Sequence, residues 1–472
     1  MVSFPFFDRN NLEKRLVAQD QNHDRGFFCS VMAACALASA RVRDGALASA
    51  TTPPADLLAV APETFFAAAQ DTFSTTMIGV PNFDNLRACA LLSIACIQNL
   101  EIEAMHMYIG HYFTMMATWS WHDEANWPKE LASVELEERR RLVSFKHVYQ
   151  TSWLMSKQYW SMYTLDIFTS IVWDSCTHFQ EGHALVQYPS GKRLDGTQST
   201  EGTWIVGWNF TTDLYRRLEH VLARLRTRSS PFNVFASAAD DYSAIQSEVQ
   251  SLYLSLPQRF RELLPATGRL EEDILGFQAA NIQATLALFR MALLTLDSDV
   301  DLNKKCSVVS EVLNIFHQVP TTFQRAISTP LIYHMGGIGN ILGSVLEAPL
   351  SESSYQRVRG LLLSMADLLD SLESFHKQQA GAGRNLRDQV VRFDAFITSR
   401  REMPGLPASN DQNDPTLAQY VSNTGQTGDL EHGSEDLTGI SPLFQIPDEL
   451  LNNWDWTFNI YQSQFPYFGE NN

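Results

Sequence analysis

Apolar residues recur every third or fourth position in segment after segment of this chain, and runs alternating apolar with polar are scarce. That periodicity predicts helices rather than strands. In one stretch Ile274, Phe277, Asn281, Ala284, Leu288 and Met291 advance by three or four residues each, placing one stripe on a core-facing side. Asn281 is the polar member of that stripe and needs a partner. Similar segments run from Gly26 to Leu47, Asp56 to Phe73, Asp84 to Leu100, Glu103 to Trp119, Leu131 to Val172, Thr211 to Arg228, Ser307 to Gln318, Thr321 to Leu346 and Tyr355 to His376. Asp84 reads as the N-cap of its helix, and Ser351, with Ser353 or Ser354, as the cap of the last long one. Breaks fall where Gly, Pro and Ser gather, at Thr51 to Pro54, Tyr188 to Gly202 and Ala380 to Gly383. No solenoid-period repeat is visible. The predicted fold is all-α, a large irregular multi-helix domain over residues 1–400.

After Arg401 the pattern changes. From Met403 to Asn472 there are ten Asp or Glu and no Lys or Arg. Residues 401–441, rich in Ser, Thr, Asn, Gln and Gly, are predicted to be a disordered acidic linker. Residues 442–472 regain aromatic density. There Pro447 suits a first helical position and Asp448 with Glu449 a helix N-terminus, after which Leu450, Trp454 and Phe458 recur at four-residue spacing with Leu451 beside them. One reading is an activation segment that folds on a coactivator groove; the other is a strap docked on its own domain's core.

The chain has 472 residues, 45% of them hydrophobic, enough for one large core or two fused helical layers. Its net charge of −18, with 35 scattered Lys and Arg, argues against broad contact with a phosphate backbone by this chain alone. Its six cysteines, Cys29, Cys35, Cys89, Cys96, Cys176 and Cys306, form no C-x-x-C pair, and four sit in apolar helical segments. They read as small buried hydrophobes in a reducing compartment, not as zinc ligands or a disulfide framework. The apolar run Phe27 to Ala40 is short, is followed by Arg41 and Arg43, and starts late for a signal peptide, so neither secretion nor membrane insertion is expected.

A set of motifs stands in order through the middle of the chain. Tyr108-Ile109-Gly110 leads through Met115-Met116-Ala117 to Trp121-His122-Asp123 and Trp127-Pro128. Glu137, Glu138, Arg139, Arg140 and Arg141 follow, then Tyr159, Trp160, Tyr163, Leu165, Asp166 and Ser170. This order resembles the fungal-specific transcription factor domain, the middle homology or xylanolytic-activator-type regulatory region. In that family a Y-x-G-x-A-x-x-M-A-x-x-L-G-L-H segment precedes E-x-E-R-R-R, an aromatic-Trp step and a Y-x-L-D-x-x-x-S run. The opening Phe4-Pro5-Phe6-Phe7 resembles the entry to the domain, and Phe277 to Leu294 a later helix. The likeness is loose in identity but ordered over roughly residues 1–400.

The resemblance implies a nuclear transcription regulator, not an enzyme, acting on RNA polymerase II transcription through coactivator proteins, with a homodimer as a candidate assembly and the dimer state left open by the sequence. Family members generally carry an N-terminal zinc-cluster head whose six cysteines hold two zinc ions. This chain needs no cofactor of its own, and DNA is expected to be met only indirectly or through such a head. A headless partner or inhibitor acting by protein contacts is the alternative, and an unrecognised all-α enzyme a third. Read from the residues alone, Glu135 with Arg139 and Glu137 with Arg141 are i,i+4 pairs, and the surplus arginine suggests buried pairing, Asp166 being a candidate acceptor.

Two departures from the family pattern stand out. Trp173 is followed by Asp174-Ser175-Cys176 where the family has Gly-Arg-Pro, and Val143 to Gln158 intervene between the arginines and the aromatic-Trp step. That segment reads as a translated intron, since Val143-Ser144 can be encoded by a donor-like GTGAGT, Leu154-Met155 by a branch-like CTAATG and Gln158 by an acceptor-ending CAG. A genuine lengthening of the helix is the alternative.

Other chemistry finds little support. The pair Asp240-Asp241 lacks a further acid at turn spacing and reads as a helix N-terminus. His106 and His111, and His178 and His183, are five apart and do not align as metal ligands on one helical face. Gly337, Gly339 and Gly343 follow a helical signal and point to close helix packing rather than a phosphate loop. An effector pocket between helices would draw on Trp119, Trp121, Trp127 and Trp160, although such aromatic clusters are more often core.

Overall fold

The computed structural model describes residues 6–7, 9–45, 60–74, 79, 81–127, 146–173, 175–189, 202–229, 242–296, 302–343, 351–376 and 381–402. The fold is all-α. Among the described residues there are fourteen α-helices and no strand, only an isolated bridge between Asp123 and Leu185. In chain order they are α1 (Arg9–Val17), α2 (Arg25–Arg43), α3 (Pro62–Thr72), α4 (Phe83–Asn99), α5 (Ile102–Thr118), α6 (Lys146–Val172) and α7 (Gly202–Ser229). Then come α8 (Tyr242–Ser255), α9 (Leu270–Leu296), α10 (Leu302–Gln318), α11 (Thr321–Ile327), α12 (Thr329–Gly343), α13 (Glu352–Glu373) and α14 (Ala382–Glu402).

Local chemistry sets the helix ends. Asp24 caps α2 by accepting from Phe27 N at 2.9 Å, and Ser351 caps α13 as expected, accepting from Ser354 N at 3.2 Å. The cap of α4 is Asn82 rather than Asp84. Asn82 accepts from Asp84 N at 2.7 Å, while Asp84 stands in the first turn and takes Arg15 at 2.6 Å together with Arg87. Position within the first turn suits a carboxylate by helix charge alone, so an acid there does not mark the boundary.

Several segments differ from the periodicity, among them α1, which lies before the first predicted segment, and α10, which starts at Leu302 rather than Ser307. Helix α7 starts at Gly202, nine residues before Thr211, because Trp204, Ile205 and Trp208 extend its buried face. The predicted Thr321–Leu346 helix is two helices broken at Ser328, whose backbone takes φ 63°, ψ −143°, a region that L-residues rarely adopt. A last helix, α14, follows the Ala380–Gly383 break and packs along α13, so α13 is not the final one.

Two hydrophobic cores meet along α9. The first is built from α2 to α7 with Ile282, Leu286, Phe289 and Leu293 of α9; the second is built from α10 to α14 with Ala280, Ala284, Ala287 and Met291. The single stripe predicted for this helix is therefore too narrow, because α9 is covered on nearly all sides. By length and hydropathy α2 and α9 could each cross a bilayer, yet most of each is buried by its neighbours. Gly339 in α12 lies 3.5 Å, measured from an added Cβ, from Leu386 and Met365, which is the close packing expected there. Cys29, Cys89, Cys96 and Cys306 are buried as expected, and burial pushes the Cys29 thiol up to about 12. Cys35 is half-buried in α2, and Cys176 is exposed outside any helix, contrary to expectation.

A polar brace also joins the two halves. Gln98 of α4 donates to Asp44 at 2.8 Å and accepts from the Ser328 hydroxyl at 3.2 Å, and His376 Nδ1 stands 3.4 Å from the same Asp44 carboxylate. Burial works to raise the Asp44 pKa, but hydrogen bonds from His376 and Arg43 hold it below the usual carboxylate range.

Candidate functional site

Helix α6 carries the last part of the ordered motif set, and its polar members share one task. Asp166 is fully buried and accepts from His178 N at 2.7 Å and Phe179 N at 3.3 Å, while its other oxygen lies 2.7 Å from His178 Nδ1. The Ser170 hydroxyl donates to Ser175 O at 2.6 Å, and Arg226 of α7 donates to the same carbonyl. Tyr163 donates to Glu219, which also accepts from Glu181 N at 3.0 Å. These side chains hold the connection from Ser175 to Pro189 against α6 and α7. Asp166 is thus occupied by an imidazole and two backbone amides, and no arginine pairs with it among the described residues.

Asp166 and His178 form the geometry of an acid–imidazole dyad, but its surroundings are those of a strut. The His178 ring stacks on Phe113 at 5.5 Å and Phe113 on Phe179 at 5.1 Å. His178 Nε2 faces α5, where a Cβ on Gly110 would stand 3.8 Å away, and no hydroxyl or thiol bonds to it among the described residues. The other histidines of the two sequence pairs are held by rings, His106 against Trp173, His111 against Phe73 and His183 against Phe179.

The tryptophans that were candidates for a pocket are packed instead. Trp127 Nε1 donates to Trp121 O at 2.6 Å, Trp119 lies edge-on to Trp121 at 4.7 Å, and Trp160 is ringed by Tyr159, Tyr163 and Tyr188. His122 lies against Phe179 at 5.8 Å. Glu137, Arg139, Arg140, Arg141, Leu450, Leu451, Trp454, Phe458 and the pair Asp240-Asp241 lie outside the described residues, the last just before α8 begins at Tyr242. Of the segment Val143 to Gln158, the part from Lys146 is continuous with α6. Ser156, Lys157 and Gln158 are buried, and neither amide atom of Gln158 has a partner among the described residues.

A cavity of about 100 Å³ opens where the two cores meet. Helix α2 gives it Arg41; α6 gives Thr164, Leu165 and Phe168; α7 gives Trp208, Thr211, Thr212 and Tyr215. Helix α9 adds Phe277, Gln278 and Asn281, and the broken α11–α12 pair adds Ile327, Pro330 and His334. Tyr215 and His334 Nε2 are 3.0 Å apart, while His334 Nδ1 and Gln278 Oε1, both buried, have no partner among the described residues. Burial lowers the His334 pKa to about 4, so the ring is neutral at physiological pH. The polar exception of the α9 stripe, Asn281, needs no protein partner because it faces this space. Of the lining residues, the sequence pattern marked Leu165, Phe277 and Asn281, none of them as part of a pocket. Compared with known proteins, the chain matches no family model, no curated protein and no solved structure.

Proposed function

We propose that this chain is a fungal-type transcription regulator whose helical domain controls the output of the acidic segment 442–472. In this reading it works in the nucleus on RNA polymerase II transcription, engages coactivators, pairs with a second copy, and meets DNA through a zinc-cluster head outside these residues or through a partner. The carrying observation is the ordered motif set. Its residues from Tyr159 to Ser170 stand on one buried helix, and Tyr163, Asp166 and Ser170 each hold the connection after it. Motif residues that serve a scaffold rather than a reaction are what a regulatory domain requires. The cavity between the two cores adds a place where a small molecule could bias their packing. The scattered basic residues and net charge of −18 favour, as a second reading, a headless partner that acts only by protein contacts.

The test is to tag the chain at its native locus, crosslink chromatin and sequence the recovered DNA. Discrete promoter enrichment supports the regulator. Enrichment that disappears when a co-purifying DNA-binding protein is removed supports the headless partner. A chain that is excluded from the nucleus and enriches no promoter refutes both.

A further inference from the structure

We propose that the cavity binds a short-chain monocarboxylate, with the Arg41 guanidinium as its counter-charge. The proposal rests on reading this cavity as the effector site, and binding is measured separately from transcription.

Charge comes first. Arg41 lines the cavity at the end of α2, and burial pulls its pKa down to about 10, so it remains a cation at neutral pH. One of its nitrogens donates to Ala326 O at 2.7 Å, and no carboxylate lies within ion-pair distance of it among the described residues. The Asp44 charge reaches Arg41 and favours its charged form, but that carboxylate is itself bound by Arg43, Gln98 and His376. Arg41 is half-buried with no anion in hydrogen-bond reach among the described residues, and a bound carboxylate would gain charge-assisted hydrogen bonds from it.

The remaining wall selects among anions. Asn281 brings an amide with no hydrogen bond among the described residues, whereas the unpartnered atom of Gln278 is its amide oxygen, which can only accept and so suits a hydroxyl rather than the carboxylate itself. Thr211 and Thr212 spend their hydroxyl protons on Gly207 O and Trp208 O of their own helix, which leaves oxygens able only to accept. His334 is neutral. A single cation with the Asn281 amide beside it balances one negative charge, whereas a phosphate dianion would keep excess charge among Leu165, Phe168, Trp208 and Phe277. A cavity of about 150 Å³ accepts benzene, so one of about 100 Å³ takes about four heavy atoms, the size of acetate.

Occupancy would also reach the fold. The Arg41 acceptor, Ala326 O, lies two residues before the strained Ser328, whose hydroxyl belongs to the brace between the two halves. A ligand that draws the guanidinium away from Ala326 therefore acts on the break between α11 and α12.

The test uses the purified full chain at fixed ionic strength, with thermal unfolding and calorimetric titration of acetate, propionate, lactate and pyruvate. Acetamide, lactamide and inorganic phosphate serve as controls. The expected result is saturable binding and a rise in Tm with at least one carboxylate, at least tenfold weaker binding of its amide and of phosphate, and a tenfold or greater loss in Arg41→Gln. Asn281→Leu, which intrudes from a different helix, is expected to lose binding as well and decides the matter if Arg41→Gln does not fold. Absence of saturable binding by any carboxylate, equal binding of the amides or of phosphate, or unchanged affinity in the folded variants overturns the proposal. Carboxylate binding without any promoter association would leave this inference standing and remove the transcription reading; promoter association without binding would do the reverse.

Discussion

Replacing Asp166 with Ala isolates the role assigned to the motif residues of α6. The change removes a fully buried carboxylate that accepts two backbone N–H groups and faces one imidazole nitrogen. Hydrogen bonds to a charged acceptor contribute about 1.5–3 kcal/mol each. The connection around His178 is partly accessible, so its freed amides can rehydrate, and the lower end of that range applies. Two backbone bonds at that value give about 3 kcal/mol of lost local stability, which corresponds to about 150-fold faster opening-limited exchange. Hydrogen exchange read by mass spectrometry over peptides spanning 175–189 is the assay. Asp166→Asn keeps an acceptor oxygen but loses the charge, and an effect of about half that free energy is expected. Protection unchanged to within threefold in Asp166→Ala would refute the clamp.

Three further outcomes are expected. His334 has its pKa depressed to about 4 against an ordinary 6.5, so the unfolded chain binds the proton first; its contribution is present above pH 6.5 and lost as pH falls toward 4. That contribution is about 3 kcal/mol, and His334→Gln should flatten this part of the Tm-against-pH curve; an identical curve would show that the histidine is not buried neutral. In Gly276→Ala the new methyl would stand 2.5 Å from the Phe323 ring, an overpacking worth about 1–3 kcal/mol that a lowered Tm would register and an unchanged Tm would contradict. The intron reading of Val143 to Gln158 predicts that a chain joining Leu142 to Tyr159 melts no lower than the original and that the mature transcript lacks these codons; lower solubility and Tm, or a transcript that always keeps them, supports a native helix extension.

Periodicity was enough to read most of the helices because they bury a face, though not the largely polar α1, and Ser351 was legible because a hydroxyl before an apolar-periodic segment has few other uses. Asp84 misled for a physical reason: carboxylates suit both the cap and the first turn, and only the bond from Asp84 N to Asn82 separates the two. Helix α14 was missed because its buried residues, Leu386, Val390, Phe393 and Ile397, are spaced among many charges and follow a glycine break. The clamp was half legible, since Tyr163, Asp166 and Ser170 were marked, but the amides of 178 and 179 and the carbonyl of 175 carry no side-chain signal, and nothing in the spacing pairs Glu219 with Tyr163 or His178 with Asp166. The cavity was not legible. Its lining comes from positions as far apart as Arg41 and His334, and Arg41 looks in sequence like any basic residue ending a helix.

The regulatory reading is tested most directly by tethering the full chain to a promoter through an unrelated DNA-binding head and measuring reporter transcription. The account predicts output at least several-fold above the head alone, lost when Leu451, Trp454 and Phe458 are all changed to Ala. Output equal to that of the head alone, or untouched by the triple change, would contradict it.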